Sequence, residues 1–227
     1  MGAARRYGGQ TADERRNERR ARLVAAACAI CGDNGWIAVT MRRVCARAGL
    51  TDRYFSESFA DRDALLIAVF DETLAELSAE VLAAVSEAPP DREAQLRSAI
   101  TTVVRFFGRD AGKARILLCQ PGDDSTFERH RCDALQRAMT MMLQPFAPDE
   151  DDVGAQMTAL FAAGGLTELF SSWVSGAFAV GADDLVEHGT RLALSVAEPH
   201  GPSSPRKPTA TRAARLRARN TVHKEAG

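Results

Sequence analysis

Lysine is nearly missing from this chain: 3 lysines stand against 26 arginines. With alanine abundant, that imbalance reads as coding bias in a GC-rich genome and not as recognition chemistry. Long apolar runs are missing too, and nothing approaches the ~18 to 20 consecutive apolar residues of a membrane-spanning helix. Arg5 and Arg6 near the N-terminus have no apolar segment behind them, so no secretion signal is expected there. The five cysteines, Cys28, Cys31, Cys45, Cys119 and Cys132, are odd in number and scattered. They suit reduced thiols in a cytoplasmic, nucleoid-associated protein better than a disulfide framework. No segment alternates with period two, which excludes a sheet. No phosphate loop, metal-ligand set or Ser/His/Asp grouping stands out, so no enzyme, cofactor or metal is expected.

What is present is an apolar fraction of 45%, enough for a real core, and an uneven distribution of charge. The net charge of −1 divides into +4 over residues 1–64, −11 over 65–198 and +6 over 199–227. Basic ends on an acidic middle indicate that the ends meet a polyanion and the middle does not.

The periodicity predicts an all-α chain, with a three-helix N-terminal head followed by a helical bundle. The first helix runs from about Glu14 to Asn34, carries Arg15, Arg16, Arg19, Arg20 and Arg22, and stops at Gly35. Thr40 caps a short helix, Met41 to Ala48, which ends at Gly49. Thr51 caps another, Asp52 to Ser58. Asp61 caps a long helix ending near Ala88. Further helices span about 91–108, 112–119, 125–146, 151–175 and 182–197. The expected division is a disordered arm at 1–13, a head at 14–65 with its hairpin at about 40–59, an effector and dimerisation domain at 66–198, and a disordered basic tail at 199–227.

The hairpin carries the functional signal. Gly49 supplies the positive φ that a tight turn between two helices needs. Val44, Cys45, Ala48, Leu50, Phe55 and Phe59 can form a small shared core. Asp52, Arg53 and Tyr54 then remain outward on the first turn of the second helix, where a helix in a major groove reaches base edges. Arg53 suits a bidentate contact to guanine. Thr40, Arg42, Arg43, Thr51, Ser56 and Arg62 lie where flanking phosphates would run. The residues therefore point to double-stranded DNA as a partner. A helical adaptor or small-molecule carrier without specific DNA binding is the competing reading.

Residues 14–70 resemble the head of the tetracycline-repressor (TetR) family of bacterial regulators. The resemblance rests on Gly35-Trp36, Thr40, Val44, Ala48-Gly49-Leu50-Thr51, Phe59 and Asp61-Arg62-Asp63-Ala64-Leu65, with ten residues from Gly49 to Phe59. It implies a homodimer on a palindromic operator, three head helices and about six behind them, and repression relieved by a small-molecule effector. Ser56 stands where the family usually has a phosphate-gripping tyrosine, Ser58 replaces a usual histidine or tyrosine, and Arg62 replaces lysine.

In the second domain, Phe106, Phe107, Phe127, Met139, Met142, Phe170 and Trp173 are candidates to line an effector pocket. The helix from Asp151 is apolar on more than one face and includes Gly164-Gly165. Phe161, Gly164, Gly165 and Leu169, with Leu185, Gly189 and Leu192 of the last helix, form the candidate dimer interface. Cys28-Ala29-Ile30-Cys31 and the group His130, Cys132 and Asp133 are read as ordinary helix residues and not as ligands.

Overall fold

The computed structural model describes residues 11–118, 126–143, 153–177 and 179–197. Of the arm expected over 1–13, residues 1–10 lie outside the described residues and 11–13 form the cap and start of α1; the basic tail from 199 onward also lies outside them. So does Cys119. Every regular element among the described residues is helical. The head comprises α1 (Ala12–Asn34), a single 3-10 turn (Trp36–Ala38), α2 (Met41–Ala48) and α3 (Asp52–Ser58). Behind it follow α4 (Arg62–Glu87), α5 (Arg92–Arg109), α6 (Ala111–Leu118), α7 (Thr126–Leu143), α8 (Val153–Val174) and α9 (Ala182–Ala197).

Local chemistry sets most boundaries. α1 starts two residues before the expected Glu14, because Thr11 and Glu14 form a reciprocal capping box that satisfies two amides of the first turn. Asp61 and Asp91 cap α4 and α5 by accepting from the amides of Ala64 and Ala94, at 2.8 and 2.9 Å. Gly49 ends α2 with φ 62° and ψ 37°, a left-handed conformation that costs other residues about 1 kcal/mol or more.

The head and the bundle share one core. α4 runs unbroken through the expected boundary at residue 65, and Leu65, Leu66, Val69 and Phe70 on it are all buried. Phe127 of α7 is fully buried between the two parts. Its ring centroid lies 4.6 Å from that of Trp36 in the head and 6.1 Å from that of Phe70 in α4. Such buried aromatic pairs contribute about 0.5–1.5 kcal/mol beyond their area term. α6 also packs directly on α1, where Gly32 and Gly112 meet backbone to backbone. A Cβ added at Gly32 would lie 2.8 Å from the Gly112 Cα, so only glycine allows this approach.

Among the described residues no helix is long and apolar enough to cross a membrane. No group of three or more potential metal-ligating side chains forms among them either. Cys28 and Cys31 lie within α1, and burial pushes the Cys28 thiol up, which disfavours a reactive thiolate. His130 pairs through Nε2 with Asp71 Oδ1 of α4 at 2.7 Å, joining α7 to α4.

Candidate nucleic-acid interface

The interface begins with what the hairpin hides. Val44, Cys45, Ala48, Phe55 and Phe59 are all buried, and Leu50 packs against them half-buried. α2 and α3 are too short to be stable alone, so this shared core is what holds them. With those positions inward, helical geometry turns Asp52, Arg53, Tyr54 and Ser56 outward, and all four are exposed. Arg53 is very open, with 84% of its side-chain surface accessible. Thr40, Arg42, Arg43 and Thr51 are exposed as well.

The two N-caps differ. Thr40 accepts from the Arg43 amide at 3.4 Å, a long capping bond. Thr51 occupies the N-cap position of α3 but its side chain makes no capping hydrogen bond. Thr51 is exposed, so the first amides of α3 lack a side-chain cap at an open helix start. Arg43 donates to Asn34 Oδ1 at 3.1 Å and Arg47 to Asp33 Oδ2 at 3.4 Å. These exposed contacts are weak enough to exchange for phosphate at little cost.

Arg62 is placed differently from its expected position beside phosphate. Its guanidinium turns inward, donating from Nε to the Val39 carbonyl at 2.7 Å and from Nη2 to the Trp36 carbonyl at 2.8 Å. It ties the 3-10 turn to the start of α4. Three arginines of α1 are also engaged with the head. Arg22 donates to the Ala48 carbonyl at 2.6 Å, at the C-terminal end of α2. Arg20 donates to the Ser58 carbonyl at the end of α3 at 3.1 Å and lies over the Phe59 ring. Arg19 lies 4.7 Å above the Tyr54 ring and 3.7 Å from Glu57 Oε2. Cations at helix C-termini satisfy carbonyls that lack an intrahelical partner and oppose the negative end of the dipole. The run of arginines in α1 therefore braces the hairpin, a role that its basic composition alone does not reveal. Their partners lie 26 to 38 residues away, beyond the reach of local pattern.

Residues 23–69 match the family model for bacterial regulatory proteins of the tetR family. The head is thus similar to the corresponding segment of tetR-family regulators. Solved structures extend the likeness over the whole described fold. A fatty acid degradation regulator, FadR, from Bacillus halodurans superposes with a TM-score of 0.65 at 17% identity, covering 78% of this chain and 94% of that one. The transcriptional regulator FadR from Bacillus subtilis, in complex with stearoyl-CoA, gives 0.60 at 15% identity, covering 78% and 98%. A TetR-like transcriptional regulator from Rhodococcus sp. RHA1 gives 0.61 at 18% identity, covering 78% and 93%. No curated protein matches the sequence. The family model spans α2 and α3, the helix-turn-helix of the head.

In the bundle, the expected effector residues do not gather at one place. Phe107 and Phe170 meet at 6.1 Å between α5 and α8, and Gly108 leaves room for Trp173, whose ring lies 3.9 Å from a Cβ built there. Trp173 donates its indole N–H to the Val180 carbonyl at 3.1 Å. Phe106 is buried on the α6 side, beneath Arg109 and Lys113. Phe127 belongs to the joint with the head. The side chains of Met139 and Met142 lie outside the described residues. A surface groove of about 300 Å³ between α5 and α9 is lined by Arg97, Thr101, Val104, Arg105, Ala182, Asp183, Val186 and Glu187. None of the expected effector residues lines it.

The candidate dimer residues also divide. Phe161 is 71% exposed and Leu192 55% exposed. Gly164 and Gly165 face open space. Leu169 is half-buried and Leu185 is buried inside the protomer. Gly189 packs within it too, where a Cβ would meet Leu166, Ile100 and Leu169 at 3.6–3.8 Å. Leu185 and Gly189 therefore serve the α5–α8–α9 core. Period alone could not separate them from Leu192, because α9 is buried on one side only.

Proposed function

We propose that the protein is a homodimeric, ligand-responsive repressor. Its head spans residues 14–65, and residues 66–198 hold the dimer contact and the effector response. Each protomer inserts α3 into a major groove of an operator with approximate two-fold symmetry. Arg53 and Tyr54 read base edges, with Asp52 beside them, while Thr40, Arg42, Arg43, Thr51 and Ser56 hold the phosphates. The observation that carries this reading is the exposure of the first turn of α3 on a hairpin whose Val44, Cys45, Ala48, Phe55 and Phe59 are turned inward.

The homodimer is supported by α8. Val153, Met157, Leu160 and Phe161 are all more than 60% exposed, and with Gly164 they lie at the spacing of a single helix face. Isolated exposed apolar residues are ordinary, but a stripe of this kind marks an interface. α8 bears one charged residue, Glu168, which suits a second identical helix better than a charged partner. Leu192 of α9 extends the same apolar character. Two protomers would place their α3 helices about 34 Å apart, or a multiple of it, to reach successive turns of the groove.

For the effector, Phe107, Phe170 and Trp173 at the meeting of α5 and α8 offer an apolar setting for a small apolar molecule. The Bacillus subtilis neighbour was solved with stearoyl-CoA, whose acyl chain is the kind of apolar group such a setting would take. Binding there would release the operator only by favouring a protomer arrangement that fits DNA poorly.

The test is duplex selection with the full chain, followed by variants. Arg53→Ala is expected to lose roughly 1–3 kcal/mol of discrimination between the selected and altered duplexes. Arg42→Ala and Arg43→Ala are expected to weaken all duplexes alike and to lower the salt slope by about one each. An adaptor or carrier would select no duplex. That outcome, or indifference to all three substitutions, would remove the reading.

A further inference from the structure

One carboxylate on the recognition helix touches both the base-reading arginine and the arginine behind it. Arg53 donates from Nε to Glu57 Oε1 at 3.1 Å, and the other oxygen, Oε2, lies 3.7 Å from Arg19 Nη2. Arg19 is well covered, with 23% of its side chain exposed, and its guanidinium lies over the Tyr54 ring. Arg53, Glu57, Arg19 and Tyr54 thus form one linked group that joins the outward face of α3 to α1. The Arg53–Glu57 contact is an exposed i,i+4 pair, worth only about 0.3–0.5 kcal/mol to folding. Its consequence lies elsewhere. A free arginine must give up much of its rotamer freedom when it docks on a base, and holding it beforehand lowers that cost.

We infer that Glu57 is a positioning residue that sets specificity, holding Arg53 by its Nε so that the Nη1/Nη2 end is presented to the groove. The inference rests on the reading of α3 as the groove-entering helix. Arginine can address guanine O6 and N7 either through its Nε–Nη2 edge or through its two terminal nitrogens. With Nε engaged, the terminal pair remains and the reach of the side chain is fixed. The same carboxylate repels the phosphates of every duplex. That repulsion is common to matched and mismatched duplexes and cancels in their ratio, so the gain in discrimination comes from the hold on Arg53 alone.

The test uses the full chain, the duplex it selects, its single base-pair variants and a scrambled duplex of equal length. Arg53→Ala first identifies the base pair at which discrimination is lost. Glu57→Ala is expected to lose discrimination at that same pair by about twofold, the share that holding Arg53 in place contributes. Binding to the scrambled duplex should instead tighten by about two- to fivefold as a negative charge leaves the interface. Glu57→Gln keeps an oxygen to accept from Arg53 Nε. It is expected to retain most of the discrimination while still tightening on the scrambled duplex. A merely structural residue would weaken both duplexes together, and a loss of that kind, with unfolding shifted in step, would overturn the proposal. Unchanged discrimination in Glu57→Ala would overturn it while leaving Arg53 as the reader. Unchanged discrimination in Arg53→Ala would overturn both.

Discussion

In the head, the large apolar side chains of α2 and α3 are mostly covered and the arginines of α1 are directed onto backbone carbonyls and rings. On α8 the arrangement is reversed: four large apolar side chains stand in solvent on a helix with one charge. A protein spends polar contacts inward where a short, weakly stable hairpin must hold one shape by itself. It leaves apolar surface outward where another surface is to cover it. The apolar side chains of the hairpin are thus covered within one chain, whereas those on α8 are not, and on the function proposed above a second protomer covers them.

Four substitutions sharpen that contrast. The largest loss is expected from Phe127→Ala, which empties the fully buried joint between Trp36 and Phe70 and should cost about 3–5 kcal/mol in a urea titration. If the midpoint hardly moves, head and bundle are not held by this joint. Phe161→Asp should leave the stability of the protomer within about 0.5 kcal/mol. Self-association, followed by sedimentation, should weaken by at least ~2 kcal/mol, or about thirtyfold. A variant that destabilises the protomer but associates normally would show that α8 needs no partner. Gly32→Ala sets a methyl group against the Gly112 backbone and should cost about 1–3 kcal/mol, read as a lower Tm.

The smallest effect is expected at Glu128. The Arg131 guanidinium, hydrogen-bonded to both its oxygens at 2.8 Å, holds its carboxyl below the usual glutamate range. A carboxyl with a lowered folded pKa stabilises the fold fully above its unfolded pKa and loses that contribution as pH falls through the folded value. Wild type should therefore lose slightly more stability on acidification than Glu128→Gln. Parallel curves would show that the pair contributes nothing.

The turn at Gly49, the burial pattern of residues 44–59 and the caps at Thr40 and Asp61 were legible in the sequence because each depends on neighbours within about four residues. Thr51 was only half legible. Its N-cap position follows from pattern, but whether its hydroxyl bonds the helix or faces outward depends on a rotamer that pattern does not encode. Arg62 and Arg22 show the limit more sharply, since their acceptors lie 23 to 26 residues away. The pair Arg53 and Glu57 was within reach, because an i,i+4 spacing on a helix suffices to suggest it. Its link to Arg19 was not.

The sequence by itself determined that the chain is helical, that a helix-turn-helix lies over residues 40–59, and which face of α3 turns outward. These follow from periodicity, capping and the conformational freedom of one glycine, all local quantities. Only the tertiary structure decided which arginines brace the hairpin and which face outward, that Phe127 closes the joint with the head, and that Leu185 and Gly189 belong to the protomer core. Those outcomes depend on how distant helices approach one another, a relation that no local period encodes.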